Sequence, residues 1–228
     1  MSYMDGLPWI KWDDEYSTDY KIIIQKLPQF QSAEERLEKI EIKGRDGSLY
    51  YSEESYKTYQ TTCEMTMLDD TMRSEIFAWL RGSGLLISSD DPDHAVKARI
   101  ISKIDPARIV PGVKSIIVTF ECQPFRYEVS PETIVLTSSG TINNPGNADS
   151  YPAITVNGTG TLTIDSDAYV FSESGVTMNS EIEECYAGTI SKNSTVSGGF
   201  PTLAPGIHTI TLGAGITSVS IQPNARWY

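Results

Sequence analysis

The sequence is poor in the side chains that most often perform catalysis or bind metals. Its 228 residues include only two histidines, His94 and His208, and three cysteines, none of which forms a Cys-x-x-Cys motif. The histidines fall in different halves of the chain, so a two-histidine site would need those halves to meet. The Gly-x-Ser-x-Gly, His-Glu-x-x-His and Walker-type motifs are absent. We therefore expect no enzyme, no cofactor and no metal.

The cysteines are too few and too isolated to build a disulfide framework. Three cysteines cannot all pair within one chain. Cys63 and Cys122 lie within strand-like patterns, where a free thiol behaves as a small apolar side chain. They also lack the basic surroundings that activate a catalytic thiol. We expect free thiols in a protein made in a reducing cytoplasm.

Long apolar runs and positive charge are also scarce. No run approaches the roughly 18 apolar residues that cross a bilayer, and the start of the chain shows no secretory signal. We expect no membrane partner. The formal net charge of −12 argues against nucleic acid as the main partner, because phosphate binding needs a basic surface.

The few basic residues are unevenly distributed along the chain. Of 18 Lys and Arg residues, only Lys192 and Arg226 lie beyond residue 136. From there the sequence becomes rich in Ser, Thr, Gly and Asn. This change predicts two domains, residues 1–135 and 140–228, joined by a linker at roughly 131–147.

Alternating apolar and polar residues dominate the first half and predict β-strands. The predicted strands are residues 22–24, 39–43, 49–51, 61–68, 96–104 and 113–122. In segment 39–43, Ile40 and Ile42 alternate with charged neighbours, which predicts a half-buried strand. Asp46 and Gly47 separate this segment from the next and indicate a hairpin.

One helix is predicted within this pattern, at residues 69–81. Its apolar residues recur every four positions and share one face: Met72, Ile76 and Leu80. Asp69 or Asp70 can cap its start, and Gly82 provides the usual stop. A single helix among strands is expected to cover an open face or end of a sheet.

The second half reads as short strands separated by Gly, Asn, Asp or Ser, which predicts an all-β sandwich. The eight segments are residues 151–156, 160–164, 168–171, 176–178, 182–186, 188–191, 208–212 and 219–222. The fold class predicted for the chain is mainly β, with two sandwich domains and one helix in the first.

Two acidic clusters could form a metal site or a catalytic site. Residues 90–94 (DDPDH) offer oxygen ligands for Ca²⁺, but they lack EF-hand spacing, and a turn between strands is favoured. Glu181, Glu183 and Glu184 could supply the paired carboxylates of glycoside hydrolysis. In a strand, however, Glu181 and Glu183 share one face, so an exposed strand face is the preferred interpretation.

A carbohydrate-binding module in the second domain is the alternative function. Sugar-binding sandwiches offer an aromatic platform to the ring face of the ligand. The aromatic residues of this half fall mostly on strand patterns that indicate core positions, which leaves a lectin as the second choice.

Several short motifs, taken in order, carry a resemblance over nearly the whole chain. They are residues 40–49, 79–86, 90–92, 120–125, 144–152, 198–206 and 226–227. The individual signature residues are Gly44, Arg45, Asp46, Gly47, Trp79, Pro124, Phe125, Gly146, Asn147, Ser150, Tyr151, Pro152, Phe200, Pro201, Leu203, Pro205, Gly206, Arg226 and Trp227. Together they resemble the distal tail proteins (Dit) of long-tailed, non-contractile bacteriophages.

The resemblance implies a structural role at the tip of the virion tail. Dit proteins have an N-terminal β-sandwich with one helix and an extended hairpin, followed by a galectin-like jelly-roll sandwich. Their N-terminal domains form a hexameric ring that joins the tail tube protein to the tail-associated or fibre protein and forms the hub of the adsorption baseplate. DNA would pass through this ring without being bound.

Some relatives carry an insertion in the second domain that holds receptor-binding proteins. Here that domain has about 90 residues, the size of a bare sandwich. We expect no such insertion, and receptor-binding proteins stay open as a further partner.

Overall fold

The computed structural model describes residues 6–228, and it is mainly β. The chain divides into two compact units: the chain up to Arg126 together with Tyr228, and residues 127–227. Each unit has its own buried core. The first five residues, part of the start for which no secretory signal is predicted, lie outside the described residues. No helix in the described part is long and apolar enough to cross a bilayer.

Ten strands begin in the first unit. They are β1 (Ile10–Trp12), β2 (Glu15–Tyr16), β3 (Ile22–Lys26), β4 (Glu34–Ile40), β5 (Leu49–Lys57), β6 (Tyr59–Met67), β7 (Ser83–Ser88), β8 (Asp91–Ile100), β9 (Ala107–Val110) and β10 (Val113–Glu128). Seven form one hydrogen-bonded sheet in the order β2-β1-β7-β8-β10-β6-β3, and β9 pairs with the start of β10. Short 3-10 helices occupy Ser17–Tyr20 and Asp70–Met72.

The sheet encloses a core built from alternate residues of its strands. On β6, Cys63, Met65 and Met67 are fully buried, as the alternation predicts. Strands at both ends of the sheet order contribute to the same core, through Trp12 on β1 and Ile24 on β3. The sheet therefore curls around one apolar interior.

The predicted helix is present but shorter than expected. A 3-10 turn at Asp70–Met72 leads into α1 (Arg73–Trp79). The Asp69 carboxylate accepts a hydrogen bond from the Thr71 N–H at 3.0 Å and caps this start. The predicted apolar face is confirmed, because Ile76 and Leu80 are buried in the core.

Strands β4 and β5 form a separate two-stranded sheet, with residues 41–48 as the connecting loop. We call residues 34–57 the arm. The predicted hairpin is confirmed, but the expectation that its first strand is half-buried is wrong. Ile40 and Ile42 are 42% and 45% exposed, because neither face of the arm lies on the core.

Twelve strands belong to the second unit, along with a 3-10 helix at Asn193–Thr195. They are β11 (Ile134–Leu136), β12 (Gly140–Asn144), β13 (Ala153–Gly158), β14 (Gly160–Ile164), β15 (Asp167–Phe171), β16 (Val176–Asn179), β17 (Glu184–Ala187), β18 (Ile190–Ser191), β19 (Val196–Ser197), β20 (Gly206–Leu212), β21 (Ile216–Gln222) and β22 (Arg226–Trp227).

Two sheets face each other in this unit, so the predicted sandwich is confirmed. One has the order β11-β21-β13-β16-β17-β18 and the other β12-β20-β14-β15-β19. Alternate residues such as Ile154, Val156, Leu162 and Ile164 are buried between them. Residues 131–147, predicted as a linker, contain β11 and β12, which pair with β21 and β20.

Candidate functional site

Seven of the twelve second-unit signature residues meet where three chain segments converge, which we call the junction: residues 144–152, residues 203–204 and Arg226. The side chain of Asn144 ties two of these segments together. Its Nδ2 donates to the carbonyl oxygens of Leu203 at 2.9 Å and Ala204 at 3.2 Å. Its Oδ1 accepts the Gly146 N–H at 3.0 Å. Because Asn144 is 1% exposed, these bonds satisfy an otherwise costly buried amide.

Gly146 lets the third segment approach closely. A Cβ at this position would lie 2.8 Å from the Arg226 nitrogen and nearer still to the Arg226 carbonyl oxygen. That oxygen accepts the N–H groups of Asn147 and Ala148 at 3.1 and 3.2 Å. The glycine is therefore required by backbone packing.

Arg226 and Ser150 complete the junction. The Arg226 Nε donates to the Asp149 carbonyl oxygen at 2.5 Å, and its guanidinium lies 4.2 Å from the centre of the Tyr151 ring. Ser150 and Leu203 exchange backbone hydrogen bonds at 2.8 and 3.0 Å. The Pro152 carbonyl accepts the Ser180 N–H at 3.0 Å. All these contacts hold loops in place, and none leaves a reactive group presented to solvent.

The remaining second-unit signature residues lie outside the junction, in the core, at a strand end or in a loop. Pro201 is buried, and Phe200 packs partly buried against the core. Pro205 is exposed just before Gly206, which begins β20 at a φ of +114°. Trp227 ends β22 and is half-buried. Asn144 was not among the residues predicted individually, although Asn before Pro is a turn signal.

The first-unit signature residues lie in three separate places. Gly44, Arg45, Asp46 and Gly47 form the exposed loop at the end of the arm. Gly44 and Gly47 have φ values of +84° and +81°, a region that favours glycine.

Trp79 is a core residue. Its Nε1 donates to the Trp12 carbonyl oxygen at 3.1 Å, and its ring stacks on Tyr20 with centroids 4.7 Å apart. Burial, followed by the hydrogen bond to Glu15, raises the pKa of Tyr20 to about 12. Through this aromatic pair, α1 packs against the 3-10 helix Ser17–Tyr20, and the Trp79 hydrogen bond to Trp12 holds α1 on β1.

Pro124 and Phe125 lie on β10, where Phe125 supports the base of the arm. The Phe125 ring packs edge-on against Tyr56 of β5 with centroids 5.1 Å apart. The ring of Tyr228 lies 5.4 Å from that of Phe125, and its hydroxyl is 2.9 Å from that of Tyr56. The arm is thus anchored at its base by three aromatic rings.

The acidic cluster at residues 90–94 forms an ion pair with Arg126, a contact with His94 and a turn. The turn at Ser89 and Asp90 precedes β8. One carboxylate oxygen of Asp91 is 2.7 Å from His94 Nδ1, and the other accepts from Arg126 Nη1 at 2.8 Å. Although burial opposes the charge, these two partners hold the pKa of Asp91 below its ordinary value. Among residues 6–228 no group of three acidic, His or Cys side chains is placed to hold a metal ion.

The carboxylates at residues 181–184 do not share a strand face, so that expectation is wrong. Residues 180–183 form a turn in which Glu183 has a φ of +51°, and β17 begins only at Glu184. Glu181 and Glu183 are exposed on this turn.

All three cysteines are free and buried. Burial raises the pKa of Cys63 and of Cys122 to about 12 and raises that of Cys185. Their thiols therefore stay protonated at neutral pH and act as apolar packing groups.

His208 is a buried histidine with two hydrogen-bond partners in the second unit. Its Nδ1 is 2.7 Å from an Asp165 carboxylate oxygen, and its Nε2 is 2.7 Å from the Ala204 carbonyl oxygen. Both neighbours accept hydrogen bonds, so the doubly protonated ring satisfies both. Burial opposes this charge, but the two bonds together raise the pKa of His208. The bond from His208 is the main cause that lowers the pKa of Asp165.

The structure defines a two-unit β protein with a second-unit sandwich, one short helix and an exposed arm. Neither a protein-family model nor a curated protein matches the sequence. Among solved structures the chain is similar to SPP1 Dit (gp 19.1), whose crystal structure is described as a paradigm of the hub adsorption apparatus in phages infecting Gram-positive bacteria.

The TM-score of this match is 0.72, over 95% of this chain and 99% of that chain, at 15% sequence identity. The predicted resemblance to Dit is confirmed at the level of the fold.

Proposed function

We propose that this chain is a distal tail protein, a structural component of the tail tip of a phage or prophage. The observation that carries the proposal is the fold match, which covers 95% of this chain and 99% of the matched chain. The ordered signature residues support it, because seven of the twelve in the second unit converge on one junction. The proposed role is mechanical and involves no catalysis.

We propose a hexameric ring in which the first unit makes most of the contacts between copies. This unit exposes the arm and the outer edges of β2 and β3, and unpaired strand edges are ready docking surfaces. A head-to-tail contact repeated by rotation closes into a ring. Six copies around an axis would give the hub its central channel.

The ring would join the tail tube protein on one side to the tail-associated or fibre protein on the other. Its location would be the virion tail tip, after synthesis in the bacterial host cytoplasm. With a net charge of −12 per chain, a channel lined by acidic groups would keep DNA from sticking as it passes.

Negative-stain microscopy of the purified full chain at high concentration tests the ring. We expect six-fold particles, and light scattering should give a mass about six times the 25.2 kDa of one chain. A protein that remains monomeric at every concentration, and that labelled antibodies do not locate at the end of phage tails, would contradict the proposal.

A further inference from the structure

Within residues 6–228, two aspartate-type side chains directly precede a glycine, in the pairs Asp46–Gly47 and Asn157–Gly158. Such pairs are chemically labile, because the glycine nitrogen can attack Cγ of the preceding side chain and close a five-membered succinimide ring. Glycine favours the attack, since it has no side chain to obstruct it and the widest choice of backbone conformations. Asp46 and Asn157 are both exposed, so access to water does not distinguish them.

The strand that contains Asn157 holds its backbone in a conformation that is far from ring closure. Asn157 pairs with Ser218 in the ladder of β13 and β21, and its Nδ2 donates to the Ser218 Oγ at 3.1 Å. The ring requires Cβ and the following nitrogen to be nearly eclipsed about the Cα–C bond, whereas in an extended strand they are far from eclipsed. Closure would therefore need a large rotation of ψ at Asn157.

Two contacts of Gly158 oppose that rotation. Its N–H donates to the Ser174 Oγ at 2.7 Å, so the attacking nitrogen is already occupied. Its α-carbon packs on the turn at Gly215, because a Cβ built at Gly158 would lie far inside contact distance of the Gly215 carbonyl oxygen. Gly158 also has a φ of +101°, a region open mainly to glycine. Asn157 is therefore protected although its side chain is exposed.

Asp46 and Gly47 lack these restraints. They lie in the exposed loop 41–48 between β4 and β5. The backbone hydrogen bond from the Arg45 N–H to the Ile42 carbonyl oxygen, at 3.1 Å, ends before the reactive pair. The Gly47 nitrogen has no hydrogen-bond partner among the described residues, and a Cβ built at Gly47 would meet nothing within 4 Å. This nitrogen is therefore free to approach the Asp46 side chain.

We infer that Asp46 is a site of spontaneous isomerisation in the folded protein and that the fold keeps Asn157 unreacted. A bond forms between the Gly47 nitrogen and the Asp46 Cγ, and the bond from Cγ to a protonated carboxyl oxygen breaks. The amide proton and that hydroxyl leave as water. A second water then opens the ring, and its attack on Cγ restores aspartate. Its attack on the backbone carbonyl carbon gives isoaspartate, in which the main chain runs through the former side chain.

The product alters the loop without changing its charge. One methylene group enters the main chain, and the free carboxylate is now attached to the α-carbon. The reaction needs only the folded chain and water, so it does not depend on the proposed ring.

Asp46→Asn gives a matched comparison, because the chain then carries two Asn-Gly pairs that differ only in their surroundings. Both react by the same ring closure, with ammonia leaving in place of water. The folded full chain is incubated at neutral pH, and peptide mapping by mass spectrometry follows the mass increase of deamidation. We expect position 157 to react more slowly than position 46 by about tenfold or more, since it must first open locally. In urea the two rates should become similar.

The parent protein gives the direct readout. Isoaspartate is counted by the methyl groups that isoaspartyl methyltransferase transfers to it, and it should accumulate with time in the peptide that contains Asp46. Gly47→Ala should slow this accumulation severalfold, because the added methyl obstructs the attack.

Ser174→Ala tests the restraint on Asn157. Without the hydrogen bond to the Gly158 N–H, deamidation of Asn157 should rise by about fivefold, the value of one ordinary hydrogen bond. Ser172→Ala is the control, because the Ser172 hydroxyl donates to the Thr195 carbonyl oxygen and not to Gly158.

The outcomes decide the inference without bearing on the ring. Equal rates at positions 46 and 157 in the folded Asp46→Asn chain would show that the fold gives Asn157 no protection. Isoaspartate that forms at Asp46 only after unfolding would show that the loop does not permit ring closure. Either result overturns the inference, and an unchanged rate at Asn157 in Ser174→Ala would refute the role given to that hydrogen bond.

Discussion

Backbone proximity explains the glycine of the junction. Gly146 is flanked by Asn144, whose amide holds the chain in place, and by the Arg226 backbone, which leaves no room for a side chain. The three parts of the junction are far apart in the sequence, so no local pattern could have placed them together. The sequence could supply the set of residues. The hydrogen bonds of the structure explain why they lie together.

Gly146→Ala should destabilise the second unit. The added methyl would press on the Arg226 backbone, which cannot rotate away as a side chain can. We expect a loss of about 1–3 kcal/mol in the free energy of unfolding, the usual range for overpacking. Urea denaturation measures it. Gly140→Ala is the control, because its methyl would make an ordinary contact with Leu136; equal losses in both variants would refute the explanation.

The His208–Asp165 pair should make stability depend on pH. Its two hydrogen bonds raise the pKa of His208 above the unfolded value, which is about 6.5. The stabilisation is therefore complete below about pH 6.5 and is lost as pH rises through the folded pKa. We expect the free energy of unfolding to fall between pH 6 and pH 9.

Asp165→Asn should make that fall smaller, because the amide no longer favours the charged ring. Asp167→Asn removes a nearby exposed carboxylate and serves as the control. Urea denaturation at both pH values distinguishes them, and an unchanged pH dependence in Asp165→Asn would show that the pair is not responsible.

At the level of helices and strands, buried alternation was the reliable signal. The pattern of residues 61–68 predicted β6 and its buried face correctly, and the four-residue recurrence placed α1. Residues 39–43 carry the same alternation, yet only Lys39 and Ile40 belong to β4, the other three lie in the connecting loop, and all five are exposed because no core lies beneath them. Strand β7 was missed, since its apolar residues Leu85, Leu86 and Ile87 run consecutively without alternating. Burial is thus a tertiary property that local pattern can suggest but not decide.

Removal of the arm should leave the first unit folded. Every apolar residue that would be lost by replacing residues 36–55 with a short Gly-Ser linker is exposed or outside the core. We keep Tyr56, because it packs on Phe125. Circular dichroism should show a melting temperature within a few degrees of the parent's, while light scattering should show no ring. A collapsed melting temperature would mean that the arm supports the fold.

At the scale of the whole molecule, each of the two units has a core of its own. One set of buried residues serves the first unit and another serves the second, so each unit has the apolar interior that an independently folding domain requires. The assignment of residues 1–135 and 140–228 to separate roles stays a prediction.

Two cores should give two unfolding transitions in calorimetry of the full chain. Gly146→Ala is expected to lower only the transition of the second unit, and Ile76→Ala, in the first core, only the other. The Ile76 change should cost about 2–5 kcal/mol. A single transition shifted equally by both variants would show that the units unfold as one.

The enclosed thiols have a practical consequence for following the protein during assembly. Cys63, Cys122 and Cys185 are shielded and protonated at neutral pH, so alkylating dyes should react with them slowly. A cysteine introduced on the surface would then take up a fluorophore selectively without prior removal of the native three. Energy transfer between copies labelled in this way would report, in real time, when and in what order subunits come together.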